Sequence, residues 1–536
     1  MSLQTLPGNR RLVALVAVAA VTFLAIALVM RACGGDSGSD GPPAAEAVKL
    51  MPADTLLYAG LSTDGDRDAV QRAADLAQRF GAYDTYRSAI LQRLSGAEGE
   101  VNAERDVEPW VGDEAAFALM DSGNATAGSL VAIEVTDEGR ARKFLERNPR
   151  QALRKVYKGH ETIRYGQVTT AFVGGFLVIG QDPTVQAAIE RDRRTEKSLA
   201  DDPTYRRAVE GLPDGRVFTG YASADGVRRL LAPQGDVLGA ASVMLDQPAL
   251  LGVAIAAEAE EDDDVRLVVH SALDAQRQKQ ATPALKSFEP GLVDAVPGNA
   301  IAYLGASGVS NALQRLVVTA VGGSGQGSEV TELLGRLATD LDEETGGGLR
   351  DDLLKLFEGE VAVVIQPQVP APVLSLITRT EDEAATRRTL DRLRDPLAKL
   401  LRPEGEAELR WAAEDVEGTE AWVLSLPNGA RVAYAVAGGQ LILSTAPDGI
   451  RQILAADESL EDADAFEDVL ADRPESVGTL GFLDFSQLLE LGEQTGLNNS
   501  RAYLRAREDL RKVRALGFSS TSGEGETTAE ILVSIR

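Results

Sequence analysis

One short pattern occurs twice in this chain, and it constrains the fold more than any other feature. Residues 171–180 (AFVGGFLVIG) read as a strand, a tight Gly-Gly turn and a second strand. Residues 433–444 (AYAVAGGQLILS) repeat that order, and a proline follows each copy at the start of a helical stretch, at Pro183 and Pro447. Two turn residues between apolar runs are a strong β-hairpin signal. We therefore expect two copies of one hairpin-bearing module.

Other matched segments surround the two hairpins in the same order. A proline-led turn enters a short strand that carries Tyr58 in one copy and Tyr303 in the other. An aromatic residue, a glycine and an acid then lead into another strand, in WVGDE (110–114) and FEGE (357–360). Hairpins and helices come in runs, which favours an antiparallel α+β fold. The sequence predicts two tandem homologous modules, each a largely antiparallel sheet covered by helices.

The length and composition agree with more than one folded domain. A chain of 536 residues is too long for one ordinary core, and 44% apolar with 25% charged residues is typical of globular proteins. Helical periodicity predicts helices at 68–80, 83–94, 311–321 and 329–341. The predicted order is a cytoplasmic tail at 1–11, a transmembrane anchor at 12–30, a flexible stalk at 31–47, the first module at 48–275, a linker at 276–291 and the second module at 292–536.

Residues 12–30 form an apolar run without a charged side chain. At about 1.5 Å per residue this run gives roughly 28 Å of helix, close to the ~30 Å hydrocarbon core of a bilayer. Arg10 and Arg11 precede it, and basic residues stay on the cytoplasmic side. We expect a single-pass bacterial membrane protein with a cytoplasmic N-terminus and an extracytoplasmic body.

Two other interpretations of the N-terminus stay open. A cleaved signal peptide would have a shorter apolar run, and the small-residue site at 45–47 lies well downstream. A lipoprotein would be acylated at Cys33, the only cysteine, which precedes a Gly/Ser/Asp tether. Arg31 fits poorly next to such a cleavage site, so the uncleaved anchor is favoured over lipidation at Cys33.

The charge balance limits the possible partners. The formal net charge is −28, which argues against nucleic acid and against a body lying flat on anionic lipid. The sequence predicts contact with the membrane through the N-terminal helix. It leaves an envelope protein or a small hydrophobic ligand as the remaining partner classes.

These motifs resemble a family of bacterial single-pass envelope proteins known only as a domain of unknown function. The residues that carry the resemblance are Tyr58, the WVGDE segment at 110–114, the hairpin glycines Gly174 and Gly175, and Asp182 with Pro183. The resemblance covers about residues 50–536. It implies a membrane-anchored extracytoplasmic protein, and it supplies no catalytic residues.

Metal and cofactor motifs are sparse. Asp64, Asp66 and Asp68, with Asp75 further on, have the spacing of a calcium loop, but Ala69 stands where such a loop needs glycine. An acidic helix N-terminus explains the same residues more simply. One cysteine and two histidines cannot build an ordinary zinc site. No phosphate-binding glycine loop is present, so no cofactor is predicted.

Catalytic motifs are equally sparse. No Gly-x-Ser-x-Gly segment occurs, and His160 is expected in a surface turn, while His270 lies near the end of a strand. Three hypotheses remain, with no catalytic residue assigned. The first is a non-catalytic binding or structural module of the cell envelope, the second a carrier or sensor of a hydrophobic ligand, and the third a hydrolase that uses paired carboxylates.

Overall fold

A computed structural model describes residues 41–83, 103–121, 128–146, 152–231, 249–261, 264–280, 286–308, 354–402 and 407–536. The chain divides into two compact units. The first unit comprises residues 1–281 together with 523–530, and the second comprises residues 282–522 and 531–536. The predicted second module, 292–536, includes residues 523–530, which belong to the first unit in the structure. Assignment to a unit depends on long-range contacts, which sequence patterns do not show.

The strands of the first unit form an antiparallel sheet. They are β1 (Thr55–Ser62), β2 (Val111–Met120), β3 (Gly128–Val135), β4 (Ala152–Tyr157), β5 (His160–Tyr165), β6 (Val168–Val173), β7 (Phe176–Gly180), β8 (Phe218–Ser223), β9 (Leu250–Ala259) and β10 (Val265–Leu273). Hydrogen-bonded neighbours follow the order β4-β5-β6-β7-β3-β2-β1-β8-β9-β10. The predicted antiparallel α+β class is confirmed here.

Helices pack on the sheet of the first unit through small and branched side chains. They are α1 (Asp68–Arg79), α2 (Glu138–Glu146), α3 (Asp182–Asp192) and α4 (Pro203–Glu210), with shorter turns at Ala47–Leu50, Ala103–Asp106, Leu199–Asp201, Ala224–Gly226, Val227–Leu231 and Ala275–Gln280. Helix α3 buries Val185 and Ile189 against a core that includes Leu130. Proline in the first turn of α3 suits its fixed backbone angle, so Pro183 starts this helix as expected.

The strands of the second unit are also paired in antiparallel fashion. They are β11 (Ala302–Ser307), β12 (Glu360–Gln366), β13 (Val373–Arg379), β14 (Trp411–Val416), β15 (Thr419–Ser425), β16 (Arg431–Ala437), β17 (Gln440–Ser444), β18 (Thr479–Asp484), β19 (Val513–Gly523) and β20 (Glu526–Ile535), of which residues 523–530 are assigned to the first unit. Neighbours follow the order β14-β15-β16-β17-β13-β12-β11-β18-β19-β20.

Helices of the second unit pack around a core of its own. They are α5 (Glu383–Leu400), α6 (Pro447–Leu454), α7 (Asp464–Leu470), α8 (Phe485–Gln494) and α9 (Arg501–Leu510), with short turns at Val293–Ala295 and Leu497–Asn499. Ile450 of α6 and Phe466 of α7 are buried with Ile377 of the sheet. The 18-residue α5 is twice as long as the described α2, which has 9 residues.

Both glycine pairs singled out in the sequence form the predicted tight hairpins. Gly174 and Gly175, with φ of 56° and 87°, connect β6 to β7. Gly438 and Gly439, with φ of 61° and 73°, connect β16 to β17. Two consecutive positive φ angles match the twist of the flanking strands and favour glycine at both positions. This local requirement explains why the pattern was recognisable without a structure.

Some predicted segments fall outside the described residues. They are the anchor at 12–30, Cys33, the helices predicted at 311–321 and 329–341, and nearly all of the one at 83–94. Across the ranges that the structure describes, no helix has the length and apolar character needed to cross a membrane. The helix predicted at 68–80 is present as α1.

The ends of the predicted stalk and linker belong to the folded units. Within the stalk, Gly41 accepts a hydrogen bond from Arg67, and Ala47 is fully buried. Within the linker, Phe288 pairs with Val477 in an isolated β-bridge. Both segments were placed outside the modules because their Gly, Pro and polar composition resembles a linker. The tertiary hydrogen bonds of these segments cannot be predicted from their composition.

Candidate functional site

A buried glutamate lies where the chain enters the first unit. Glu114 on β2 is only 2% exposed. One carboxylate oxygen accepts the backbone N–H of Glu46 at 2.8 Å, and the other accepts that of Ala47 at 3.0 Å. Those two N–H groups open the helical turn at Ala47–Leu50, where backbone donors lack partners within the turn. Glu114 therefore caps the first turn of the unit from a strand 67 residues away.

The surroundings of Glu114 favour its protonated form. The pKa of this carboxyl is raised from 4.5 to about 7; burial is the largest cause, and the two N–H donors oppose the rise. Glu134 and Glu46 contribute to the same rise, since a second negative charge nearby disfavours ionisation. No cation is among the groups that shift this pKa. The site thus has a buried acid with a raised pKa, as some catalytic sites do.

A second buried glutamate occupies the corresponding place in the second unit. Glu360 begins β12 and is 9% exposed. One of its oxygens accepts the backbone N–H groups of Gly291 and Leu292 at 3.0 and 2.9 Å. Its other oxygen lies 3.3 Å from Nε of Arg379. Burial raises the pKa of Glu360, while the two N–H groups and the Arg379 charge lower it.

A cleft opens beside Glu360, with a volume of about 1130 Å³. Glycines and polar or charged residues line much of it, including Lys355, Arg379, Glu381 and Thr386. A site for a hydrophobic ligand is lined mainly by apolar and aromatic side chains. The chemistry of this cleft therefore suits water or a polar ligand.

Every buried carboxylate in the described part of the chain has a structural partner. Besides the two glutamates, Asp106 pairs with Arg105 at 2.9 Å. Asp484 caps α8 by accepting the backbone N–H of Gln487 at 2.9 Å. Catalysis by paired carboxylates needs one acid free to protonate a leaving group and another free to attack or to activate water. Each of these four side chains accepts hydrogen bonds from, or forms an ion pair with, other groups of the chain.

The predicted calcium residues are not gathered into a binding site. Asp64 accepts the backbone N–H of Asp66 at 2.9 Å, which is a local turn contact. Asp68 starts α1, and Asp75 lies on an exposed part of the same helix. Within the described ranges, no group of three or more acidic, histidine or cysteine side chains is placed to hold a metal ion. Cys33 lies outside those ranges.

The two histidines take part in backbone contacts. His160, at the start of β5, is half-buried, and its Nδ1 lies 3.1 Å from the carbonyl oxygen of Phe172. His270 on β10 is 4% exposed, and its Nδ1 lies 2.8 Å from the carbonyl oxygen of Ala208. The sequence predicted the strand position of His270 but gave no indication of its burial under α4.

The capping role of the two glutamates does not follow from the sequence patterns, although both residues lie within them. The signal is an acid one or two residues after glycine in FEGE and WVGDE. Glu360 and Glu114 lie opposite the last residues of β11 and β1, Ser307 and Ser62. By itself the pattern predicts only the start of a strand. A repeated acid at an inward-facing strand position could have indicated a buried partner, because buried carboxylates need hydrogen-bond donors.

The fold and these contacts define a mainly antiparallel α+β protein with buried capping glutamates. The chain belongs to the family described as protein of unknown function DUF3352, and the match spans residues 12–535. No curated protein matches it.

Similar solved structures include two crystal forms of the protein TP0453. Crystal form III matches with a TM-score of 0.27 and 7% identity, over 46% of this chain and 90% of that one. Crystal form I matches with a TM-score of 0.27 and 8% identity, over 46% and 89%. Similarity at this level carries no functional argument.

Proposed function

We propose that this protein is a non-catalytic binding or structural module of the bacterial cell envelope. In this proposal it is anchored by one transmembrane helix at 12–30 with its body outside the cytoplasm. One observation carries the non-catalytic part: each buried carboxylate of the described residues is engaged as a cap or an ion pair. An acid held in this way is a poor proton donor to a substrate.

We further propose that the two units arose by internal duplication. Eight of the nine strand pairings of the first unit recur within the second, in the same chain order. The opening prolines also match, because Pro52 bridges to Ser198 and Pro297 bridges to Ser459. The glutamate caps add a third correspondence. Such agreement in non-local contacts favours duplication over chance likeness of two sheets.

The opening contacts suit an anchored body. Glu114 binds the backbone of residues 46–47, so the fold is held at the last two residues of the predicted stalk. A chain tethered to a membrane at that end needs its first turn held against pulling and fraying, since chain ends are otherwise poorly ordered. The family match starts at residue 12 and therefore includes the predicted anchor.

The two alternative functions have weaker support. The hydrophobic carrier requires an apolar cavity, but the cleft beside Glu360 is lined largely by charged and polar residues. The carboxylate hydrolase requires free acids, and the buried ones are engaged. If a hydrolase nevertheless existed, Glu360 would be its best acid, because it is buried with a raised pKa at the border of a cleft.

The test uses the full-length protein in its membrane. Tagged protein is incubated with isolated envelope polymers, and both retained material and released fragments are measured by mass spectrometry. Protease added outside intact cells with a permeabilised outer layer reports where the body lies. We expect retention without released fragments, and digestion of the body from outside.

Glu360→Gln separates binding from catalysis. It keeps the shape of the side chain and removes its acid chemistry, while Glu358→Gln at the border of the same cleft is the matched control. The proposal would be overturned if the wild type and Glu358→Gln release fragments and Glu360→Gln does not, with all variants folded. That result would establish a hydrolase. A body protected from external protease would overturn the proposed location.

A further inference from the structure

A second cleft in the second unit combines tryptophan side chains with basic ones. It lies between the C-terminal half of α5 and the β14–β15 hairpin, and its volume is about 920 Å³. That volume is within the usual range of small-ligand sites, roughly 300–1,000 Å³. Its charged lining residues are Asp391, Arg394, Asp395, Lys399, Arg402, Glu408 and Arg410.

Two of the three tryptophans in the chain line this one cleft. Trp411 starts β14, and its indole N–H donates to the backbone carbonyl of Arg394 at 2.9 Å. Its ring also contacts Tyr434 edge-on, with centroids 5.3 Å apart. Trp422 on β15 is likewise half-buried, and its indole N–H donates to Glu420 at 2.9 Å. Both indoles are thus fixed in position while part of each remains exposed.

Arg394 holds the two sides of the cleft together. Its guanidinium lies 3.5 Å from the centre of the Trp422 ring, and it pairs with Asp391 one helical turn earlier. A guanidinium stacked on an aromatic ring both attracts the ring and restrains it. Arg394 is therefore a positioning residue, and it keeps Trp422 in one orientation before any ligand arrives.

The charge of this cleft differs from that of the protein as a whole. Four basic side chains face three carboxylates here, although the whole chain has a net charge of −28. The cleft beside Glu360 has two basic residues against four acids. A third cleft, beside Lys49 and Asp201 in the first unit, has four of each. Of these three clefts, only the tryptophan cleft is net positive.

Two of its cations are well placed for a ligand. Arg402 is exposed, and no ion pair links it to another residue in the described parts of the chain. Arg410 pairs with Glu408 only at 3.6 Å, and both side chains are more than 70% exposed. An exposed pair of this kind contributes little to stability, so an anionic ligand can displace it.

We propose that this cleft binds an acidic saccharide. The part of each indole that stays exposed can pack against the C–H face of a sugar ring, and Arg402 and Arg410 can take a carboxylate, sulfate or phosphate group. The three carboxylates accept hydrogen bonds from hydroxyls, which a sugar has in abundance, whereas they would repel an anion that lacks donors. The β4–β5 hairpin of the first unit contains no tryptophan, so that unit is not expected to bind in this way. The proposed function specifies no ligand, so a failure of this assignment would leave it unaffected.

The test titrates full-length protein in detergent with three acidic probes: trigalacturonate, a sulfated heparin disaccharide and glucose 6-phosphate. Calorimetry gives the Kd and tryptophan fluorescence reports the site. We expect saturable binding of at least one probe, weakened about tenfold or more by Trp422→Leu and by Arg402→Gln. Arg140→Gln, which removes an exposed arginine of α2, is the matched control and should leave Kd unchanged. Hydrogen exchange verifies that each variant is folded.

Two further probes test whether binding needs the negative charge of the ligand and whether the ligand is a saccharide or a lipid headgroup. The neutral methyl ester of trigalacturonate should bind at least about tenfold more weakly, and anionic phospholipid vesicles should not compete. The assignment is overturned if none of the acidic probes binds below about 10 mM, or if both cleft variants bind as tightly as wild type. Equal binding of the methyl ester, or displacement by the vesicles, would also overturn it.

Discussion

Glu114 and Glu360 perform the same structural task in different electrostatic surroundings. Each accepts two backbone N–H groups from the residues that open its unit. Glu360 also has Arg379 within 3.3 Å, whereas acidic neighbours, Glu134 and Glu46, act on Glu114. The cap geometry is therefore independent of a countercharge. The difference in surroundings also indicates that the first unit should depend on pH near neutrality more strongly than the second.

The largest expected effect comes from removing the cap of the first unit. Glu114→Ala leaves the buried N–H of Ala47 and the part-buried N–H of Glu46 without their acceptors, and an unsatisfied buried donor costs about 1–3 kcal/mol. We expect the free energy of unfolding of this unit to fall by about 4 kcal/mol at most, measured by urea denaturation with hydrogen exchange. Glu46→Ala is the control, because Glu46 contributes its backbone to the cap. A loss of under about 1 kcal/mol in Glu114→Ala would show that the cap is not important.

The next effect is the pH dependence of the two units. The folded-state pKa of Glu114 is about 7, above its ordinary 4.5, so the fold favours the protonated form. Its contribution to stability is complete below about pH 4.5 and is lost as the pH rises through about 7, which amounts to roughly 3 kcal/mol. The first unit should therefore unfold more easily at about pH 8 than at about pH 5, and the second unit should change less.

Glu114→Gln is the control for this pH dependence. The amide cannot ionise, so in this variant the free energy of unfolding of the first unit should change much less between about pH 5 and about pH 8 than it does in the wild type. The measurement is the exchange-derived unfolding free energy of each unit, corrected for intrinsic exchange rates. If the wild-type first unit instead became more stable from about pH 5 to about pH 8, its pH dependence would have the opposite sign and would contradict the raised pKa of Glu114.

A smaller effect should come from the matching serine contacts. The Ser198 hydroxyl donates to Asp201 at 2.8 Å, and the Ser459 hydroxyl donates to Asp462 at 2.7 Å. Loss of a capping hydroxyl typically costs about 1 kcal/mol. We expect Ser198→Ala and Ser459→Ala to destabilise their own units by similar amounts in thermal unfolding. A large difference between the two would weaken the idea of equivalent units.

The smallest effect should come from the ion pair that distinguishes the two caps. Arg379→Gln removes the positive charge near Glu360, and the pKa of Glu360 should rise toward that of Glu114. Arg379 is 57% exposed, so the loss of stability should stay below about 1 kcal/mol and diminish in high salt. NMR titration of the glutamate side chain measures the pKa, and an unchanged value would mean that Arg379 does not affect Glu360.

Much of the fold could be predicted because its signals are local. The Gly174–Gly175 turn and the start of α3 at Asp182 depend on backbone angles that particular residues favour. The caps were not predictable in the same way, because Glu114 and Ala47 are 67 residues apart. The tryptophan cleft was missed for a similar reason, since Trp411 meets Arg394 only after a helix and a hairpin fold together.

The most direct test of the two caps is hydrogen exchange at four backbone amides, those of Glu46, Ala47, Gly291 and Leu292, in full-length protein. The caps predict that Glu114→Ala exposes only the first two amides to faster exchange, and that Glu360→Ala exposes only the last two. Unchanged exchange in both variants, or loss of protection at all four amides in either one, would contradict the account.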